Sequence, residues 1–99
     1  MNIEAHNSLK KSQQQLESII EQFKLFLPPQ GRKEFEQAHN AWKTYSDFHT
    51  QFIASPYEGG SIQPLIHSST LESTVNARIA ELQSELEYME NTSVPYEEM

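Results

Sequence analysis

The stretch FEQAHNAWKTYSDFHTQF, Phe35 to Phe52, decides how this chain is read. It gathers the sole tryptophan, two histidines, a tyrosine, an aspartate and three phenylalanines, so it is either a chemical site or the inner face of a helix. Spacing favours the helix. Phe35, Ala38, Trp42, Tyr45, His49 and Phe52 follow one another by three, four, three, four and three residues, a single heptad-like stripe that a helix presents on one side. Trp42 is then a core anchor, with Tyr45 and His49 at the core edge, their polar atoms reaching the rim.

Outward from this segment, two further stripes appear. Before it, Leu9, Leu16, Ile20, Phe23 and Leu27 recur at spacings of three, four or seven with Ser and Gln between them, and Pro28-Pro29 ends the pattern. After it, SPYEGGSIQP breaks the chain with two prolines and a glycine pair, and Leu71, Val75, Ile79, Leu82, Leu86 and Met89 alternate fours and threes. Three one-sided stripes are buried most simply in an all-α, antiparallel three-helix bundle, compact and up-down-up, with a Gly/Pro loop between helices 2 and 3. Residues 1–90 form this single domain, and 91–99 are expected as a frayed polar tail. Ile19, Phe26, Phe48 and Ile53 are left outside the stripes.

The chemistry that the central stretch could support is limited by the same geometry. Glu36 and His39 have the i, i+3 spacing of carboxylate-bridged di-iron bundles, but His6, His49 and His67 follow Ile3, Ser46 and Pro64 at that spacing, so no second copy faces it. His39 reads instead as a partly exposed, water-bonded side chain. Ser46, Asp47 and His49 suggest a nucleophile, a base and an orienting acid, yet on one helix Asp47 points about 200° away from His49. EGGS lacks the lysine and spacing of a phosphate-binding loop. No catalytic, cofactor or metal site is expected.

Composition sets the outer bounds. With 99 residues and 36% hydrophobic content the chain fits one small domain. Fourteen acidic residues against seven basic ones give a formal charge of −7, which opposes binding to a phosphate backbone and suits a basic protein partner. No apolar run approaches a membrane span, the amino terminus has no apolar signal region, and cysteine is absent, which together lead to an expectation of a cytoplasmic protein.

The segments AHNAWKTYSD, EGGSIQPL and TLESTVNARIAEL resemble the amino-terminal domain of the LprI-type lysozyme-inhibitor family over roughly residues 9–86. That pattern runs Gln-Arg-Ala-Trp, Tyr-Arg-Asp, a cysteine, Gly-Gly-Ser, a second cysteine, Leu-Thr, Arg and a final Glu-Leu. Ala41, Trp42, Tyr45, Asp47, Gly59, Gly60, Ser61, Thr74, Arg78, Glu81 and Leu82 fall in step with it. His39 and Ser46 depart from it, and Thr50 and Thr70 stand where it has its cysteines. The resemblance implies a non-enzymatic helical binding domain, an ion pair between Asp47 and Arg78 on facing helices, and Cα atoms of Thr50 and Thr70 within disulfide reach. A competing reading makes Thr70 the N-cap of the third helix. Loss of both cysteines suits a reducing compartment.

Two functional readings stand. One is a binding protein that masks a basic partner, a lysozyme-type hydrolase or an intracellular toxin, through the loop Tyr57, Glu58, Gly59, Gly60 and Ser61. The other is a structural or adaptor module that self-associates through the apolar residues outside the stripes.

Overall fold

The computed structural model describes residues 2–96, with side chains described from residue 7 onward. Helix α1 spans Asn2–Phe26, α2 Pro29–Ala54 and α3 Gln63–Thr92; a single 3₁₀ turn, Ser55–Tyr57, follows α2. No strand occurs among the described residues. None of the helices is long and apolar enough to cross a membrane, again among those residues.

Proline sets the helix boundaries. Pro28 takes extended backbone angles that keep it out of α1, and Pro29 opens α2, where a missing N–H costs nothing. The amide of Arg32 donates to the Pro28 carbonyl at 2.9 Å, and its Nε donates to the Leu27 carbonyl at 3.0 Å, so the two-residue reversal is tied into the first turn of α2. At the other end of α2 the Ser55 hydroxyl donates back to the Phe52 carbonyl at 2.7 Å. The break expected through Pro64 is shorter than its composition suggests: α3 already starts at Gln63, with Pro64 in its first turn. Thr70 therefore lies inside α3 and is not its N-cap; its carbonyl accepts the Thr74 hydroxyl at 2.9 Å. Beyond Thr92 the chain leaves the helix, with the Met89 carbonyl accepting from the amide and hydroxyl of Ser93. Tyr96 then lies with its ring 6.0 Å from the Arg32 guanidinium, and residues 97–99 of the tail are outside the described set.

The topology is up-down-up. Phe23 near the end of α1 stacks on Phe35 near the start of α2, so these helices are antiparallel. Arg78 lies over Trp42, which sets α3 antiparallel to α2, and the hydroxyl of Ser8 donates to Glu72, which sets α1 parallel to α3. The all-α bundle follows the sequence reading, but its shape is elongated: 55 × 23 × 16 Å with a radius of gyration of 16.2 Å. A compact chain of this length would have about 13 Å. Helices of 25 to 30 residues, at 1.5 Å rise, are too long for three of them to close into a sphere.

α3 is the central element, packing against both α1 and α2, while α1 and α2 approach each other less closely. The core is mostly the α1–α3 seam: Leu9, Leu16, Ile19 and Phe23 against Val75, Ile79, Leu82 and Leu86. Ile20, Leu27, Phe35, Trp42, Leu71 and Met89 cover its edges. The third stripe is thus where periodicity places it. In the first, Ile19 belongs to the core, 3% exposed, and is not available for self-association; Ile20 is the half-buried one.

Candidate interaction site

On α2 the inner face is not the line of large residues. Ser46, Thr50 and Ala54 are its buried positions, at 2%, 1% and 2% exposure, and Phe35, His39, Trp42, His49 and Ile53 are half-buried. The inward line is 35, 39, 42, 46, 50 and 53, rotated from the expected stripe so that Ala38, Tyr45 and Phe52 fall outside. Small side chains at 46 and 50 let the α2 backbone come close to α3, which a column of aromatic rings would prevent. Neither the Ser46 Oγ nor the Thr50 Oγ1 has a hydrogen-bond partner among the described residues.

Along this line and beside it, the rings stack on one another. Phe23, Phe35, His39 and Trp42 form a ladder with centroid spacings of 5.1, 6.2 and 5.7 Å, ended by the Arg78 guanidinium 6.0 Å from the Trp42 centroid. Tyr45, His49 and Phe52 form a second, at 5.3 and 5.5 Å. His39 is therefore a rung in a stack, partly exposed as expected, with its Nδ1 buried and without a partner among the described residues. Burial first, then the charges of Lys43, Arg78 and Lys24, hold its imidazole below the ordinary value of 6.5.

Two grooves flank α2. One, about 500 Å³, opens between α1 and α2 over α3, with Leu16, Ile20, Trp42, Leu71 and Val75 beneath Lys10, Lys43 and Asp47. The other, about 440 Å³, runs between α2 and α3 past Tyr45, His49, Ala77 and Arg78. Asp47 and Arg78 thus lie in different grooves. Residues 45 and 47 diverge to either side of the inward-pointing 46, so the expected ion pair does not form; Arg78 pairs with Glu81 at 2.6 Å, one turn along its own helix. Asp47 and His49 likewise line different grooves, and the buried Ser46 hydroxyl has no hydrogen-bond partner among the described residues, so the three form no chain of hydrogen bonds. Among the described residues no group of three or more histidines and carboxylates is placed to hold a metal ion.

The loop closing this end of the bundle is exposed from Ser55 through Ile62. Gly59 has φ +80°, a conformation that any side chain would strain, and a Cβ on Gly60 would meet the Tyr57 carbonyl oxygen at 3.3 Å. The amide of Gly60 donates to that carbonyl at 3.0 Å and the amide of Gln63 to the Gly60 carbonyl at 3.3 Å. The glycine pair therefore shapes a tight tip that carries Tyr57, Glu58 and Ser61 outward. The sequence pattern of the family described as Lysozyme inhibitor LprI matches residues 1–82. This chain belongs to the LprI family. No curated protein and no solved structure matches it.

Within an LprI-family domain, the positions that carry cysteine in the family pattern acquire a geometric meaning. Residues facing each other across antiparallel α2 and α3 have numbers with a nearly constant sum, which Trp42 and Arg78 set near 120. Thr50 and Thr70 share that register. Sequence reasoning did not single out the two small residues of the inward line, Ser46 and Thr50, as packing positions, because polarity hides them from an apolar periodicity.

Proposed function

We propose that this chain acts as a non-enzymatic protein-binding domain whose contact site is the tip Tyr57, Glu58, Gly59, Gly60 and Ser61, and whose partner is a basic protein of the lysozyme type. Membership of a family described as lysozyme inhibitors supports a role in binding a protein. The observation that carries the placement is the charge and exposure of this end. From residue 44 to residue 77 the sequence has no lysine or arginine, while Asp47, Glu58 and Glu72 are acidic. Tyr57, Ile62 and Leu65 are exposed apolar side chains at the same end. An exposed aromatic on a rigid turn, next to the carboxylate of Glu58 and with no lysine or arginine in the loop, suits insertion into a cationic cleft. The non-enzymatic reading is supported by the unbonded Ser46 hydroxyl and by Asp47 and His49 lining different grooves, which leaves the serine without an oriented base.

Hen egg-white lysozyme is a direct probe. Binding and inhibition should be strongest at low ionic strength and weaken as salt screens the acidic tip. Tyr57→Ala and Glu58→Lys should each weaken the complex roughly tenfold, as loss of a central anchor or reversal of a contact charge does. Binding that is indifferent to both substitutions removes the tip from the account, and no binding to lysozyme or to any other basic hydrolase removes the proposed partner.

A further inference from the structure

The outer side of α2 carries a second stripe. Ala38, Ala41, Tyr45, Phe48 and Phe52 recur at three, four, three and four residues, and all five are exposed, Phe48 and Phe52 by 65% and 63%. At 100° per residue they fall within about 80° of one another, on the side turned away from the α1 groove. Their solvent flank is Gln37, Thr44 and Gln51, exposed and uncharged. Between Glu36 and Glu58 the only Asp, Glu, Lys or Arg residues are Lys43 and Asp47, and both line the groove facing α1. In a chain with net charge −7, one long apolar face is thus kept free of charge.

We infer that this face is the contact surface for a second copy of the chain, with the two α2 helices antiparallel about a two-fold axis at Tyr45. Two features select that occupant. A basic partner would need carboxylates along the stripe, and an anionic surface would need cations; the stripe itself has neither, and Arg78 and Glu81 on its α3 flank pair with each other, so it meets its own copy without net repulsion. The stripe is also graded, small at one end and large at the other. Antiparallel pairing about Tyr45 sets Ala38 opposite Phe52 of the second copy and Ala41 opposite Phe48, so that each ring enters the space left by an alanine methyl. The same stripe is used identically by both copies, as a two-fold contact requires. Parallel pairing would set ring against ring and methyl against methyl and would leave gaps at the alanine end.

The face is about 21 Å long from Ala38 to Phe52. A single helix–helix contact of this length falls below the roughly 1,200 Å² of standard interfaces, so the dimer is weak and its population follows concentration. It strengthens with salt, which screens the repulsion between two acidic chains. This distinguishes it from binding at the tip, which salt weakens.

Sedimentation of the full chain from micromolar to millimolar concentration should show a monomer–dimer equilibrium. Phe48→Ala should raise its midpoint roughly tenfold, and Ala41→Glu, which puts like charges into the contact, should abolish it with helicity unchanged. Because the chain has no cysteine, single thiols report the register. Tyr45→Cys, at the axis, should oxidise to a covalent dimer, whereas Ala38→Cys, about 20 Å from its symmetry mate at 1.5 Å per residue, should not. A chain that stays monomeric throughout, or Ala38→Cys cross-linking as fast as Tyr45→Cys, overturns the proposal. So does a dimer unaffected by Phe48→Ala and Ala41→Glu.

Discussion

α3 meets its two neighbours in different ways. Against α1 it sets Val75, Ile79, Leu82 and Leu86 on Leu9, Leu16, Ile19 and Phe23, a seam of large aliphatic and aromatic side chains that excludes water by bulk. Against α2 it meets Ser46 and Thr50, with Trp42 and Phe35 at the margin, a seam that works by close approach. The first buries much apolar area and holds the domain together. The second buries less and leaves the large residues of α2 free: Tyr45, Phe48 and Phe52 are on the surface because two small polar residues took the inward position. A helix with two apolar stripes can satisfy a core with one and keep the other for contact.

The contrast is open to direct mutational attack. Phe23→Ala, in the aliphatic seam, should cost about 3 to 5 kcal/mol and leave little folded protein, whereas Trp42→Ala, half-buried at the margin, should cost about 2 kcal/mol. Equal losses in chemical denaturation would erase the distinction between the seams. The register of the second seam is testable by Thr50→Cys with Thr70→Cys. Oxidation should close a loop of about 20 residues and stabilise the domain by about 3 kcal/mol less any strain. Failure to oxidise in the folded state would show that these positions do not face each other.

Smaller effects probe the polar groups under α2. Ser46→Ala removes a hydroxyl buried without a partner and replaces it with a better helix former, so stability should rise by about 1 kcal/mol. A loss instead would mean that the hydroxyl is bonded in solution. The ladder imidazole gives a pH signature. His39 holds its proton less firmly in the folded chain than the ordinary value of 6.5. Its contribution to stability is complete above that value and is lost as pH falls from there through its lower folded value, because the unfolded chain then binds the proton more readily. The stability of His39→Phe should lack this acid-side decline; an identical pH profile would mean that His39 titrates as it does when unfolded.

Much of this was legible in the sequence, and the largest exception lies on α2. The fold class, the Pro28-Pro29 reversal and the α3 stripe follow from apolar spacing and proline, since α3 carries a single apolar line and periodicity has one solution there. On α2 the spacing has two. Phe35, Trp42 and His49 belong to the inner half of the expected stripe, Ala38, Tyr45 and Phe52 to the outer, and a rule that follows size prefers the aromatics to Ser46 and Thr50. The same rotation separates Asp47 from Arg78. Ile19 was misplaced for a related reason: adjacent to Ile20, it could not be told from its neighbour by spacing alone. The loop was legible as a tip from its glycines and prolines, but the entry of Pro64 into the first turn of α3 was not, because proline opens helices as readily as it ends them.

The orientation of α2 is the claim on which the contrast between the two seams and the outer contact face rest, and thiol labelling of single-cysteine variants tests it most directly. The chain supplies no background thiol. At concentrations where it is monomeric, Ser46→Cys and Thr50→Cys should react only as fast as the domain unfolds, while Phe48→Cys and Phe52→Cys should react at the rate of a free thiol. Rapid labelling at 46 and 50 with protection at 48 and 52 would turn α2 around and contradict the account.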